Sequence, residues 1–171
     1  MSTTSGRHAA REAALQMLFA LDLAQEDDVD GALERYQAVF AEDAEAMAYL
    51  LGGDPDAPEE GIIERAQSLF SGEERVWQFT ERLVRGVISH MTSLDELIGR
   101  CSLNWKISRM GRVDRNVLRL AAYELAFEGD IPTRVTLNEA VELAKRFGTE
   151  DSSKFVNGII DRIAQELEAK A

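Results

Sequence analysis

The sequence predicts an all-α fold, a bundle of about seven or eight helices. Three observations carry this. Apolar residues recur at helical spacing through most of the 171 residues. No stretch alternates apolar and polar residues as a half-buried strand would. One strong cluster of turn-forming residues stands out, GGDPDAPEEG at 52–61, and the whole chain has only 3 prolines.

Taken in order, residues 7–25 have helical period, with Ala14, Met17, Leu18 and Leu21 on one face. Residues 29–51 read as a second, loosely patterned helix, followed by the 52–61 loop. Helices are expected at about 59–70 and about 73–90, and another from Ser93, a candidate N-cap followed by Asp95 and Glu96. Asn104-Trp105 breaks the pattern. Residues 109–128 form a strong helix in which Val113, Val117, Leu118, Ala121 and Leu125 share an arc. Gly129-Asp130-Ile131-Pro132 is a turn. The next stripe is Leu137, Ala140, Val141, Leu143, Ala144 and Phe147. Thr136 and Glu139 have capping-box spacing there, although a start just after Pro132 fits as well. Gly148 is read as a left-handed C-terminal cap. Thr149 or Asp151 then caps a last helix, whose core arc is Phe155, Val156, Ile159, Ile160, Ile163 and Leu167. Gly158 inside that helix costs roughly 1 kcal/mol relative to alanine. The expected offset is close approach of a neighbouring backbone, with the Asn157 amide bonded to a nearby loop.

Composition excludes several classes. Hydrophobic content of 45% and charged content of 29% describe an ordinary globular chain of one domain. No apolar run reaches the roughly 18 residues of a membrane span, and the N-terminus lacks the apolar core of a signal peptide. A single cysteine, Cys101, allows no internal disulfide, which fits the cytoplasm. GGDPDAPEEG lacks the Lys-Ser/Thr of a phosphate-binding loop, and zinc-ligand spacing is absent. With only 2 histidines and no acid/base pair singled out, the chain reads as no enzyme, and no cofactor is expected.

Charge is uneven. Net charge is −12, yet residues 22–74 hold 16 acids against 2 bases, and 100–119 hold six bases (Arg100, Lys106, Arg109, Arg112, Arg115, Arg119) against Asp114 alone. A nucleic-acid surface depends on the local field, so the basic cluster is either such a surface or a solvated helix face.

Two blocks, RHAAREAALQMLFALDL (7–23) and NWKISRMGRVDRNVLRLAAYEL…DIPTRVTLNEAVELAKRFGTEDSSKFVNGIIDRIA (104–164), closely resemble the NusB family of bacterial transcription antitermination factors. The acidic segment of about 24–75 is longer than the family leads one to expect. The resemblance implies one RNA-binding domain spanning 1–171, built as two helical subdomains. It implies binding of boxA RNA jointly with NusE, a small-subunit ribosomal protein. It also implies a place, with other Nus factors, on the RNA polymerase elongation complex, so that ribosomal RNA operons are read through. Two other readings are a helical protein-binding scaffold or homodimer with little RNA affinity, and the RNA-recognition domain of a ribosomal RNA methyltransferase.

Carried onto this sequence, the family's arginine-rich N-terminus is reduced to Arg7, His8 and Arg11. Arg7 and Arg11, four residues apart, share a helix face and can grip adjacent phosphates. Lys154 maps to the lysine of the family's K-F-V-N-G motif and is implied to contact phosphate. Phe147 and Phe155 map near the RNA, where they would stack on unpaired bases; by periodicity both are equally core residues. Asp151 lies at the same surface, repelling phosphate or bonding a base edge. On the ribosomal-protein side the resemblance implies Phe19, which forms a second stripe with Leu15 and Leu23, and Asp114. Asp114 falls among apolar positions, where either Arg115 or Arg119 pairs with it or a basic partner does.

Overall fold

The structure, a computed structural model, describes residues 3–42 and 74–170. The predicted 52–61 loop, the helix at about 59–70 and the tail of the 29–51 helix lie outside the described residues. Among those described there are seven α-helices, one 3₁₀ turn and no strand: α1 (Thr3–Ala24), α2 (Val29–Glu42), α3 (Glu74–Ser89), α4 (Met91–Cys101), the 3₁₀ turn Ile107–Arg109, α5 (Arg112–Phe127), α6 (Thr133–Phe147) and α7 (Ser152–Lys170). The chain divides into two compact units, Met1–Arg82 and Leu83–Ala171, as two helical subdomains require.

In the first unit α1 packs on α2. The predicted stripe Ala14, Met17, Leu18 and Leu21 is buried, and so is Leu15 of the second stripe. α1 ends on Gln25 in the left-handed region, φ 53°, where the Glu26 N–H donates to the Leu21 carbonyl at 3.2 Å. That bond closes the helix end as a Schellman turn does.

In the second unit α5, α6 and α7 pack pairwise, and α4 packs on α5 and α7. Val117, Leu118, Ala121, Ala140, Leu143, Ala144, Val156, Ile159, Ile160 and Ile163 are buried, so the three stripes converge on one core. Each such aliphatic side chain contributes about 1.5–3 kcal/mol by leaving water. Val113, Leu125, Leu137, Val141 and Leu167 are half-buried at the margins.

Several local expectations are corrected. α4 starts at Met91, and the Ser93 hydroxyl donates back to the His90 carbonyl rather than capping the helix. α6 starts at Thr133, so Thr136 is not its cap; its hydroxyl donates to the buried Glu124 carboxylate at 3.0 Å. Gly148 is extended, φ −93° and ψ −166°, not left-handed. What requires glycine there is space: a Cβ would stand 2.4 Å from Ser152 Oγ and 2.6 Å from the Ala144 carbonyl. At Gly158 the expected close backbone is missing, since nothing lies within 4 Å of a Cβ, and Asn157 is exposed. Close approach occurs instead at Gly86 of α3, where a Cβ would meet the Tyr123 ring at 2.1 Å.

Candidate nucleic-acid interface

In the first unit the basic residues of α1 gather on one aromatic ring. The guanidinium carbons of Arg7 and Arg11 lie 5.2 and 5.5 Å from the Phe79 centroid, and Arg82 lies 5.2 Å from it. The spacing of four residues does put Arg7 and Arg11 on one face, but their surroundings differ. Arg7 is exposed, whereas Arg11 is 2% exposed. Arg11 therefore offers little surface to a phosphate, and its stem and head fix Phe79. His8 Nε2 lies 3.1 Å from the carboxylate of Glu12, itself buried. Arg82 was not singled out from the sequence, because α3 and α1 are remote in the chain and no short spacing links them.

In the second unit the chain turns tightly from α6 into α7. The Thr149 N–H donates to Ser152 Oγ at 2.9 Å, and the Ser152 N–H donates to the Thr149 carbonyl at 3.1 Å. Thr149 and Ser152 thus close a tight turn just before α7, and the Asp151 carbonyl accepts the first helical bond from the Phe155 N–H at 3.1 Å. This turn fixes where the first residues of α7 point. Lys154 and Asp151 are exposed. Phe155 and Phe147 are half-buried, outside the fully buried core. Arg146 lies over the Phe147 ring at 5.4 Å. Phe155 meets Trp105 edge-on, with centroids 5.9 Å apart and planes at 82°. Lys154 has no ion pair among the described residues, so its charge is uncompensated by a described neighbour.

The two candidate partner-binding residues have distinct environments. Along α1 the second stripe goes from buried Leu15 through half-buried Phe19 to Leu23, which is 55% exposed. Asp114 lies in the first turn of α5, where the helix N-terminus favours a carboxylate. Its Oδ1 is buried and has no hydrogen-bond partner among the described residues. Arg119 does not supply one: it grips Asp95 of α4 bidentately, Nε and Nη2 each at 2.7 Å.

Around Cys101, at the end of α4, burial raises the thiol pKa to about 11, helped by its hydrogen bond to Glu166 and opposed by Arg100 and Arg162. Glu166 is lowered to about 2, first by the Lys170 hydrogen bond, then by Cys101 and Arg100. A buried, protonated thiol is a poor nucleophile. No group of three or more metal-ligating side chains occurs among the described residues, and none of their helices is long and apolar enough to cross a membrane.

Comparison with known proteins agrees with this architecture. A transcription antitermination protein NusB of Desulfitobacterium hafniense is 38% identical over 165 residues, covering 96% of this chain and 91% of its own. The solved NusB of T. maritima superposes with a TM-score of 0.67 at 35% identity, over 97% of this chain and 94% of that one. NusB in a solved complex of antitermination factors NusB and NusE with double-stranded RNA shares the fold, with a TM-score of 0.64 at 22% identity over 94% and 97% of the two chains. The NusB family model matches residues 8–165, and with that match and these relatives the chain belongs to the NusB family.

Proposed function

We propose that this protein is a transcription antitermination factor that binds boxA RNA jointly with NusE. Through that complex it acts, with other Nus factors, on elongating RNA polymerase so that ribosomal RNA operons are read through. The reading is of a binding protein and not a catalyst, working in the cytoplasm where nascent RNA is made. Its relatives are named as transcription antitermination proteins, and the structural neighbour described above pairs NusB with NusE and double-stranded RNA.

The observation in this chain that carries the reading is the entrance of α7. A tight turn presents an exposed lysine, Lys154, with no described acid partner, beside a half-buried aromatic ring, Phe155. A phosphate contact next to a stacking surface is what single-stranded RNA recognition uses. In this reading Arg7 of the first unit, with the neighbouring His8, and Lys154 of the second take phosphates, and Phe147 and Phe155 take bases. Asp151 faces a base edge, and Arg11 acts by holding Phe79 in place. On the protein side, the uncovered end of the Phe19 stripe and the unpartnered Asp114 oxygen suit NusE. The Asp114 side chain as a whole is half-buried, and a cationic group from a bound protein would compensate its charge.

The test is fluorescence anisotropy of labelled boxA RNA, with and without NusE, across a salt series. Wild type is expected to bind weakly alone and more tightly with NusE. Lys154→Ala should lower affinity for boxA and for scrambled RNA alike, and reduce the salt slope by about one phosphate contact. Identical slopes and affinities for wild type and Lys154→Ala would remove Lys154 from the interface.

A further inference from the structure

Trp105 is 55% exposed, in the connection between α4 and the 3₁₀ turn. The connection holds it firmly. The Trp105 N–H donates to the Ser102 carbonyl at 3.1 Å, and the hydroxyl of Ser102, itself 4% exposed, donates to the Trp105 carbonyl at 3.0 Å. An exposed indole on a pinned backbone is a preorganised apolar surface. Its ring is perpendicular to that of Phe155, so the two form a corner and not a sandwich. A flat group can stack on one ring while its edge meets the other.

The helix behind this corner is bare. Gly158, one turn after Phe155, has nothing within 4 Å of where a Cβ would be. Four residues further on, Arg162 Nη1 donates to the Cys101 carbonyl at 2.9 Å. Gly158 thus lies between the two places where α7 meets the end of α4 and its connection, at a position where packing does not require glycine. Lys154 shares its helix face. Lys106 and Arg109 follow Trp105, are exposed, and have no ion pair among the described residues. Lys106 and Arg109 therefore leave positive charge beside Trp105 that attracts an anion such as a phosphate.

We propose that Trp105 is an RNA-contacting residue: with Phe155 and the bare face of α7 at Gly158 it forms a corner that receives an unpaired base, while Lys106 and Lys154 take the flanking phosphates. This rests on the RNA-binding function proposed above and adds a residue and a subsite to it.

The test uses the full chain with NusE and single-stranded boxA RNA. The sequence has 2 tryptophans, so a Trp77→Phe background leaves Trp105 as the reporter in this chain. RNA should quench Trp105 emission, and Trp105→Ala should weaken RNA binding about 5- to 150-fold, the range of one lost base–aromatic stack. Trp105→Phe, which keeps a ring, should lose less, and Gly158→Ala should weaken RNA binding without lowering the urea midpoint. Unchanged emission on RNA binding, or wild-type affinity in Trp105→Ala, overturns the proposal and leaves the RNA function standing. Weakened binding of NusE by Trp105→Ala in the absence of RNA would assign the corner to protein and also overturn it. Absence of RNA binding by wild type with NusE would overturn both.

Discussion

The same substitution, glycine to alanine, should have opposite effects at two helical positions of one unit. Gly86 in α3 and Gly158 in α7 both lie within Leu83–Ala171, so one unfolding transition reads both. At Gly158 a methyl group enters open space. The change then removes only the helix penalty of glycine, and stability should rise by about 1 kcal/mol. At Gly86 the same methyl carbon would be 2.1 Å from Tyr123 Cζ and 2.4 Å from both Cε2 and the hydroxyl oxygen. Ordinary carbon contact begins near 3.5 Å, so the ring must move by roughly 1.4 Å. It has little freedom to do so. Tyr123 is 8% exposed, its ring stacks on Phe127 with centroids 5.2 Å apart, and His90 lies against it at 5.9 Å. Overpacking of this kind costs about 1–3 kcal/mol, and the upper end applies when a whole ring is displaced. Subtracting about 1 kcal/mol of helix propensity leaves Gly86→Ala destabilising by about 2 kcal/mol.

Urea unfolding followed by far-UV circular dichroism measures both variants against wild type. In Tm, each kcal/mol should move the midpoint about 2–4 °C for a chain of this size. A cycle isolates the contact: in a Tyr123→Ala background, Gly86→Ala should turn from destabilising to stabilising. Gly86→Ala at or above wild-type stability, or no change of sign in the cycle, would refute the packing account. Loss of stability in Gly158→Ala would show that α7 is crowded there after all.

The other predictions concern partner, pH and reactivity. Asp114→Lys and Phe19→Asp, each first shown folded by circular dichroism, should weaken NusE binding by about tenfold or more in calorimetry without RNA; unchanged affinity would remove that residue from the interface. Asp95→Ala should cost about 2 kcal/mol of stability in urea, because it strips the bidentate partner from Arg119, whose side chain is only 10% exposed. Glu166, held at about 2 against an ordinary 4.5, contributes stability above pH 4.5 that is lost as pH falls toward 2. Glu166→Gln should therefore flatten the acid side of the stability profile in that window, seen in urea midpoints. The Cys101 thiol, raised to about 11, should alkylate far more slowly at pH 8 than a free thiol, and a normal rate would contradict its burial.

What was legible in the sequence was whatever repeats within a few turns of one helix. The α1, α5, α6 and α7 stripes were read from spacing alone, and their central residues are buried. Contacts set by distant parts of the chain were not legible. Thr136 has a capping-box neighbour in Glu139, yet its hydroxyl is claimed by Glu124, a turn and a helix away. Gly148 looked like a left-handed cap because it follows a helix; only the approach of Ser152 and the Ala144 carbonyl shows why glycine stands there. Arg7 and Arg11 look equivalent at a spacing of four, and both lie over Phe79 of α3, yet Arg7 is exposed and Arg11 is buried. In the sequence Trp105 marks only a break between helices, since a lone aromatic in a loop has no periodicity to show whether it is buried; in the structure it is exposed.

The charge of the chain can now be reconciled with an RNA partner. A net charge of −12 would repel a polyanion if it were spread evenly, but residues 22–74 alone carry −14 and the remainder carries +2. Beyond roughly one Debye length, about 8 Å at physiological salt, the acidic segment is largely screened from a phosphate. What a phosphate meets close by is then decided locally. Lys154, Lys106 and Arg109 are exposed and have no ion pair among the described residues, whereas Arg119 and Arg100 are engaged by Asp95 and Glu166. With Arg7 these three are the bases that this reading offers to RNA phosphates, so few counterions are released and affinity should be low without NusE. The acidic segment should act on a different step, attracting a basic protein. Neutralising acids within 26–34 should therefore slow association with NusE at low salt while leaving the salt slope of RNA binding by the assembled complex unchanged. A changed RNA slope would mean that the acidic segment lies within a Debye length of the bound RNA.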